Sequence, residues 1–259
     1  MGIIQSNFFS ATLKRNTGII AVIPADFPGC ELDLRQWKPL YLLHGTYGDG
    51  SDWIRYSNVE RYAKEFGFAA IMVSCGNNFF RNMTYGDAYE TFLAEELPCY
   101  VEYLFPILRG PEHAAIGGLS MGGYGAMSLA IRHPDRFGRV ISLSGGFDFT
   151  QVELGEGFPI DTWPFYSVFG EEFSKDLWRS EDVNLKPQIR DFLRTGKKFP
   201  AVFQSVGTED ITLETNRDMD RFFTEQHIEH IYREVPGEHD WKLWNTELEV
   251  AMRWLASLE

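Results

Sequence analysis

Gly118-Leu119-Ser120-Met121-Gly122-Gly123 is the stretch on which the reading of this chain turns. It has the form G-x-S-x-G. An apolar run over 114–117 precedes it, and an amphipathic helical stretch follows. Strand, serine and helix at this spacing describe a very tight turn. Side chains at positions 118 and 122 would collide with the neighbouring strand and helix, so both positions need glycine. Such a turn lifts Ser120 to the end of the sheet, at a helix N-terminus whose free N–H groups favour developing negative charge. A chance Gly/Ser turn is the alternative. The preceding strand, the following helix and the third glycine, Gly123, argue against it.

Outward from Ser120, short apolar runs alternate with amphipathic stretches. Residues 18–23, 40–43, 69–73, 114–117, 140–143, 201–206 and 228–235 read as strands, most of them β-branched or aromatic and bounded by Gly or Pro. Leu93, Leu97, Tyr100, Val101 and Leu104 fall on one helical face. Trp244, Leu248, Ala251, Leu255 and Leu258 do so in the last segment. This alternation predicts a mostly parallel central sheet with helices on both faces. The 259 residues fit one domain spanning 1–259. Residues 147–198 break the rhythm. They contain no clean strand but carry Phe158, Trp163, Phe165, Tyr166, Phe169, Phe173 and Trp178. A linker would be polar and poor in aromatics, so the segment reads as a small cap-like insertion of short helices and loops. Trp163 and Phe165 are its candidate substrate-pocket residues.

A net charge of −13 repels phosphate backbones and anionic headgroups. Neither nucleic acid nor a membrane is an expected partner. Cys30, Cys75 and Cys99 form no C-x-x-C pair, which predicts neither a disulfide framework nor a zinc site. No signal peptide is read at the N-terminus, and no apolar run approaches the roughly eighteen residues of a membrane span. The expected location is cytoplasmic.

A serine hydroxyl needs a base. Of the six histidines, His113 starts the strand leading to Ser120, at its wrong end. His133 sits at a helix end before Pro134, and His227 and His230 read as solvated residues before a strand. His44 reads as a brace for its loop. His239, in Pro236-Gly237-Glu238-His239-Asp240-Trp241, follows the last strand and precedes the last helix. This matches the chain order serine, acid, histidine of the α/β-hydrolase fold. The acid should follow a strand between the two, and Gly207-Thr208-Glu209-Asp210 does. Asp210 is the choice, with Glu209 and Asp148 as alternatives. Asp210 also reads as a helix cap, one oxygen for each role. Oxyanion donors are expected from the N–H of Met121 and, in the loop Tyr41-Leu42-Leu43-His44-Gly45-Thr46-Tyr47-Gly48, from Thr46, with Tyr47 as the fallback and as a pocket residue.

Taken with YLLHGTYGDGSDWIRYSNVER, AEELP from Ala94, GLSMGGYGAM, GTED and GEHDWKLW, the chain resembles the esterase D group of α/β hydrolases. Within it, the likeness is strongest to bacterial tributyrin esterases and to acetyl and feruloyl esterases. The resemblance implies hydrolysis of small short-chain acyl esters by Ser120, His239 and Asp210, with no cofactor and no metal, often in a homo-oligomer. A feruloyl esterase or thioesterase using the same triad is the alternative. The loop after the early strand reads HGT, unlike that of the related S-formylglutathione hydrolases. A non-catalytic binding protein on the same scaffold ranks lower, because all three triad candidates are present.

Overall fold

In the computed structural model, which describes residues 1–25, 36–148, 165–170 and 183–258, eight strands form one sheet. They are β1 (Gly2–Ser10), β2 (Arg15–Ile23), β3 (Lys38–Leu43), β4 (Phe68–Val73), β5 (Ala115–Leu119), β6 (Arg139–Leu143), β7 (Ala201–Gly207) and β8 (His230–Val235). Their order across the sheet is β1-β2-β4-β3-β5-β6-β7-β8. β1 with β2 and β2 with β4 are antiparallel; every other pair is parallel. This is the mostly parallel α/β-hydrolase sheet expected from the strand–helix alternation. The seven expected strands are present within one to three residues at each end. β1 is an additional one.

Helices are α1 (Asp52–Tyr56), α2 (Val59–Phe66), α3 (Tyr89–Thr91), α4 (Leu97–Leu104), α5 (Met121–Arg132), α6 (Phe165–Phe169), α7 (Leu185–Arg194), α8 (Leu213–Glu225) and α9 (Trp241–Ser257). The period of two in the central strands sorts side chains between two cores. Leu40, Leu42, Ala70 and Met72 join Trp53, Tyr62, Leu248 and Leu255 on the α1, α2 and α9 side. Tyr41, Leu43, Ala69, Ile71 and Val73 join Leu97, Tyr124, Ile189 and Phe222 on the α4, α5, α7 and α8 side. Both faces are therefore covered, and each fully buried Leu or Ile of β3 and β4 contributes about 1.5–3 kcal/mol.

Two expectations about faces are corrected. Leu104 is exposed, not part of the buried stripe. Leu104 is the last residue of α4, which gives way to extended backbone at Phe105 (φ −125°, ψ 145°), so the buried stripe ends one turn earlier. Leu93, Leu97 and Val101 remain buried. His230 is not solvated. Its side chain is buried against Phe223, with Nε2 2.9 Å from Asp220 and Nδ1 2.8 Å from the Ile228 carbonyl.

The chain leaves β3 toward β4 on one side and returns to β5 on the other. That reversal opens a crevice at the carboxyl ends of β3 and β5, where ligands bind in open α/β sheets. Ser120 stands at that point.

Candidate active site

Ser120 has φ 54° and ψ −118°, a region that costs a side-chain-bearing residue about 1–3 kcal/mol. The glycines around it make the turn feasible. A Cβ on Gly118 would lie 2.4 Å from the Gly122 backbone, and one on Gly122 would lie 2.5 Å from the Leu43 carbonyl oxygen. A Cβ on Gly123 would lie 2.9 Å from the Gly145 Cα, just past the end of β6. The Ser120 N–H donates to the Leu143 carbonyl, and its carbonyl accepts from the Gly146 N–H, so the strained residue is held by two backbone bonds to the adjacent β6 region.

The sequence places Ser120 and His239 119 positions apart, and the fold brings them together. His239 Nε2 is 3.0 Å from Ser120 Oγ. His239 Nδ1 is 2.8 Å from Asp210 Oδ1. His239 is held from behind by Trp244, whose ring stands edge-on at 4.9 Å, and Asp240 caps α9 immediately after it by accepting the Leu243 N–H. Asp210 is buried. Burial pushes its carboxyl up, but the hydrogen bond and charge of His239, the Thr212 N–H and the Ser144 hydroxyl outweigh this, and the net shift is below the ordinary carboxylate range.

Asp210 does not divide its two roles between two oxygens, as the sequence reading expected. The same Oδ1 that faces His239 also accepts the Thr212 N–H and the Thr212 hydroxyl, each at 2.8 Å. The cap residue of α8 is Thr212. Glu209 faces elsewhere. Its exposed carboxylate accepts the Gly237 N–H and the Thr208 hydroxyl, and with Glu209 N–H to the Gly237 carbonyl it clasps the Asp210 loop to the His239 loop. A Cβ on Gly207 would lie 2.1 Å from the Gly237 oxygen, so glycine at 207 permits that approach. Asp148 is not among the hydrogen-bond partners of His239.

The loop after β3 lies against Ser120: a Cβ on Gly45 would sit 2.6 Å from Leu119 Cδ1 and 3.6 Å from Ser120 Cβ. Thr46 follows at once. The Tyr47 N–H donates to Asn77 Oδ1 at 2.8 Å, which occupies the fallback oxyanion donor; its side chain is exposed. His44 is fully buried. Its Nδ1 is 2.7 Å from the Gly45 carbonyl, and its Nε2 accepts the Cys75 N–H at 3.1 Å. Nε2 is thus the bare nitrogen and Nδ1 carries the proton, so a neutral ring bridges the Gly45 loop to the end of β4.

Burial lowers the His44 pKa below its ordinary 6.5, against the opposing pull of the Gly45 carbonyl and the charges of Asp52 and Asp49. The unfolded chain takes up a proton there as pH falls below 6.5, whereas the folded chain resists it. This contribution to stability is therefore complete above pH 6.5 and declines as pH falls from 6.5 toward the lowered folded value. Its slope is at most about 1.4 kcal/mol per pH unit. Urea titrations at pH 7.5, 6.5 and 5.5 should show this slope, and His44→Gln should flatten it. Identical slopes in the two proteins would remove the argument.

Two supporting residues, Ser144 and Thr212, were not singled out in the sequence, and a third, Trp244, was read only as a core-facing residue of the last helix. Ser144 has φ 51°, accepts the Trp244 Nε1–H at 2.9 Å and lowers the Asp210 pKa. Thr212 and Trp244 hold Asp210 and His239 from behind. The only sequence signal was their closeness to Gly145, Asp210 and His239. Trp163 lies outside the described residues, as do Phe158, Phe173 and Trp178; Phe165 is described only as the first residue of α6. Among the described residues, no group of three or more His, Cys, Asp or Glu is arranged to hold a metal ion, and no helix is long and apolar enough to cross a membrane.

Residues 10–255 match the family model described as "Putative esterase". The chain belongs to this esterase family. The esterase is 29% identical over 270 aligned residues to an acetyl esterase of Caldicellulosiruptor saccharolyticus, covering 100% of this chain and 99% of that protein. It superposes with a TM-score of 0.89 on FphF, a fluorophosphonate-binding serine hydrolase of Staphylococcus aureus, at 25% identity over 99% of this chain and 98% of that one. The S-formylglutathione hydrolase FrmB of the same organism gives a TM-score of 0.85 at 25% identity, with 99% of each chain covered. The esterase is thus a carboxylic ester hydrolase with an α/β-hydrolase fold.

Proposed function

We propose that the protein is a serine esterase that hydrolyses short-chain acyl esters through an acyl-enzyme intermediate. The observation that carries this reading is the unbroken relay Ser120 Oγ to His239 Nε2 at 3.0 Å and His239 Nδ1 to Asp210 Oδ1 at 2.8 Å. His239 takes the Ser120 proton as Oγ attacks the ester carbonyl, and Asp210 stabilises the imidazolium that forms. The oxyanion is held by the Met121 and Thr46 N–H groups. Collapse expels the alcohol, which leaves with the proton from His239. Water, deprotonated by the same imidazole, then frees the acid from Ser120. All of this needs no cofactor.

In this reading residues 1–259 are one domain, and the insertion of residues 147–198, whose α7 packs against the sheet face, walls the acyl pocket with Trp163 and Phe165, together with Tyr47. Support comes from what ties the segment down. The Tyr124 hydroxyl of α5 donates to the Val183 carbonyl, and the N–H groups of Thr84 and Tyr85 donate to the carbonyls of Val168 and Ser167 in α6. These bonds anchor two points of the segment to the nucleophile helix and to its neighbouring loop. A walled pocket limits acyl length by shape, because each buried methylene contributes only about 0.8 kcal/mol and one clash cancels it.

A panel of acetyl, butyryl, octanoyl and feruloyl esters and a thioester tests the assignment. Acetyl and butyryl esters should give the highest kcat/KM, with a steep fall at octanoyl. Trp163→Ala and Phe165→Ala, made singly, should extend the accepted chain length. A flat profile across chain lengths, or variants that keep the parent profile, would count against the cap. The likeness to FrmB favours a thioesterase as the second reading, and a thioester turned over faster than every oxygen ester would establish it.

A further inference from the structure

Behind Asp210 lie two fully buried amide side chains, Asn216 near the start of α8 and Gln204 in β7. Asn216 Nδ2 donates to the Gly145 carbonyl at 2.9 Å, to the Thr212 carbonyl at 2.8 Å and to Thr212 Oγ1 at 3.1 Å. The amide nitrogen has two hydrogens, so one goes to Gly145 and the other is shared between the two Thr212 oxygens. On the far side, Gln204 Nε2 donates to Asn216 Oδ1 at 3.1 Å and to the Asn216 carbonyl at 2.9 Å. These partners fix which way the Asn216 amide points. Turned over, it would set its oxygen against two carbonyl oxygens and its NH2 group against the Gln204 NH2 group.

The segments that this amide joins serve different members of the relay. Gly145 is 71 positions from Asn216 and precedes Gly146, whose N–H donates to the Ser120 carbonyl. Thr212 gives both its N–H and its hydroxyl hydrogen to Asp210 Oδ1. A hydroxyl has one hydrogen and two lone pairs. With an Asn216 N–H directed at the Thr212 oxygen, the hydroxyl hydrogen is turned away from α8 and toward Asp210. Thr212 is itself buried, so bulk water does not stand in for a lost donor.

We propose that Asn216 is a positioning residue of this esterase. Its amide clamps the segment that supports Ser120 to the loop that carries Asp210, and Gln204 sets the direction of the amide. The inference rests on the Ser120–His239–Asp210 reading given above. Asn216 touches no reacting atom. It acts on Asp210 through Thr212 and on Ser120 through Gly145 and Gly146, and Gln204 acts through Asn216.

Asn216→Leu should lower acetyl-ester kcat by about a hundredfold, the loss that a misplacement of about 1 Å can cause, with KM unchanged. Titration with a fluorophosphonate counts the reactive Ser120. The count should stay full while labelling slows, because a misaligned relay affects every molecule. A partly unfolded protein would instead show fewer active sites, each with parental turnover. Thr212→Val should lose kcat in the same way, and Thr212→Ser, which keeps the hydroxyl, should recover it. The double variant Asn216→Leu/Thr212→Val should be no slower than Asn216→Leu, since both act on one hydrogen bond. Gln204→Met leaves the Asn216 donors in place but unguided. It should lower kcat by a smaller factor at a full active-site count, and it carries the test if Asn216→Leu does not fold. Parental kcat in the folded variants, a reduced active-site count at parental turnover, or losses that multiply in the double variant would overturn the inference. An active Ser120→Ala, or a parent protein that is not labelled at Ser120, would instead remove the reading on which it rests.

Discussion

Ser120→Ala is expected to lower kcat for an acetyl ester by about a millionfold, the loss seen when the nucleophile of a serine triad is removed. The physical basis is that, among the described residues, no other hydroxyl is hydrogen-bonded to His239 Nε2, which lies 3.0 Å from Ser120 Oγ. The fold should survive. Ser120 makes its structural hydrogen bonds through its backbone, to Leu143 and Gly146, and alanine bears the same strained φ of 54° at similar cost. Circular dichroism and the melting midpoint should therefore match the parent protein while activity disappears. A fluorophosphonate should modify the parent protein on the peptide containing Ser120 and leave the variant unlabelled. Purified Ser120→Ala with a few per cent of parental activity would rule Ser120 out as nucleophile.

Asp210→Ala should cost about ten-thousandfold in kcat, as removal of the acid alone does in a serine triad. Because Oδ1 also accepts two bonds from Thr212, the variant leaves buried donors without an acceptor and should lose about 1–3 kcal/mol of stability as well. Asp210→Asn separates charge from geometry. The two Thr212 donors select the amide oxygen for the Oδ1 position, which keeps the Nδ1-protonated imidazole, so only the charge opposite the imidazolium is lost. Its kcat should fall between those of the parent and Asp210→Ala. Glu209→Gln should retain activity within about tenfold, since its carboxylate bonds Gly237 and Thr208 and not the imidazole. A dead Glu209→Gln beside an active Asp210→Ala would reverse the assignment of the acid.

The strands flanking Ser120 were readable because most are short β-branched or aromatic runs bounded by Gly or Pro and buried on both faces, as in β4, where every residue is buried. β1 was not. Its doubled apolar pairs, Ile3-Ile4 and Phe8-Phe9, break the period of two, and its outer edge faces solvent instead of a second strand. The face of α4 was readable as far as Val101 and lost at Leu104, because a hydrophobic period does not say where the helix leaves the core, and Leu104 is its last residue. The choice between Glu209 and Asp210 rests on neighbouring residues of like chemistry, and their side chains diverge only once the loop is folded.

By itself the sequence determined the α/β-hydrolase architecture, the tight turn at Ser120 and the chain order of Ser120, Asp210 and His239. These depend on local quantities: hydrophobic period, the steric demand for glycine at 118 and 122, and turns that follow strands. Tertiary structure alone decided which oxygen of Asp210 carries three hydrogen bonds, that Glu209 clasps two loops together, that His44 bridges the Gly45 loop to β4, and that Ser144 and Trp244 back Asp210 and His239. Each of these joins residues distant in sequence or selects one direction for a side chain. A hydrogen bond forms only when donor and acceptor meet within a few tenths of an ångström, and that meeting is set by the packing of the whole sheet.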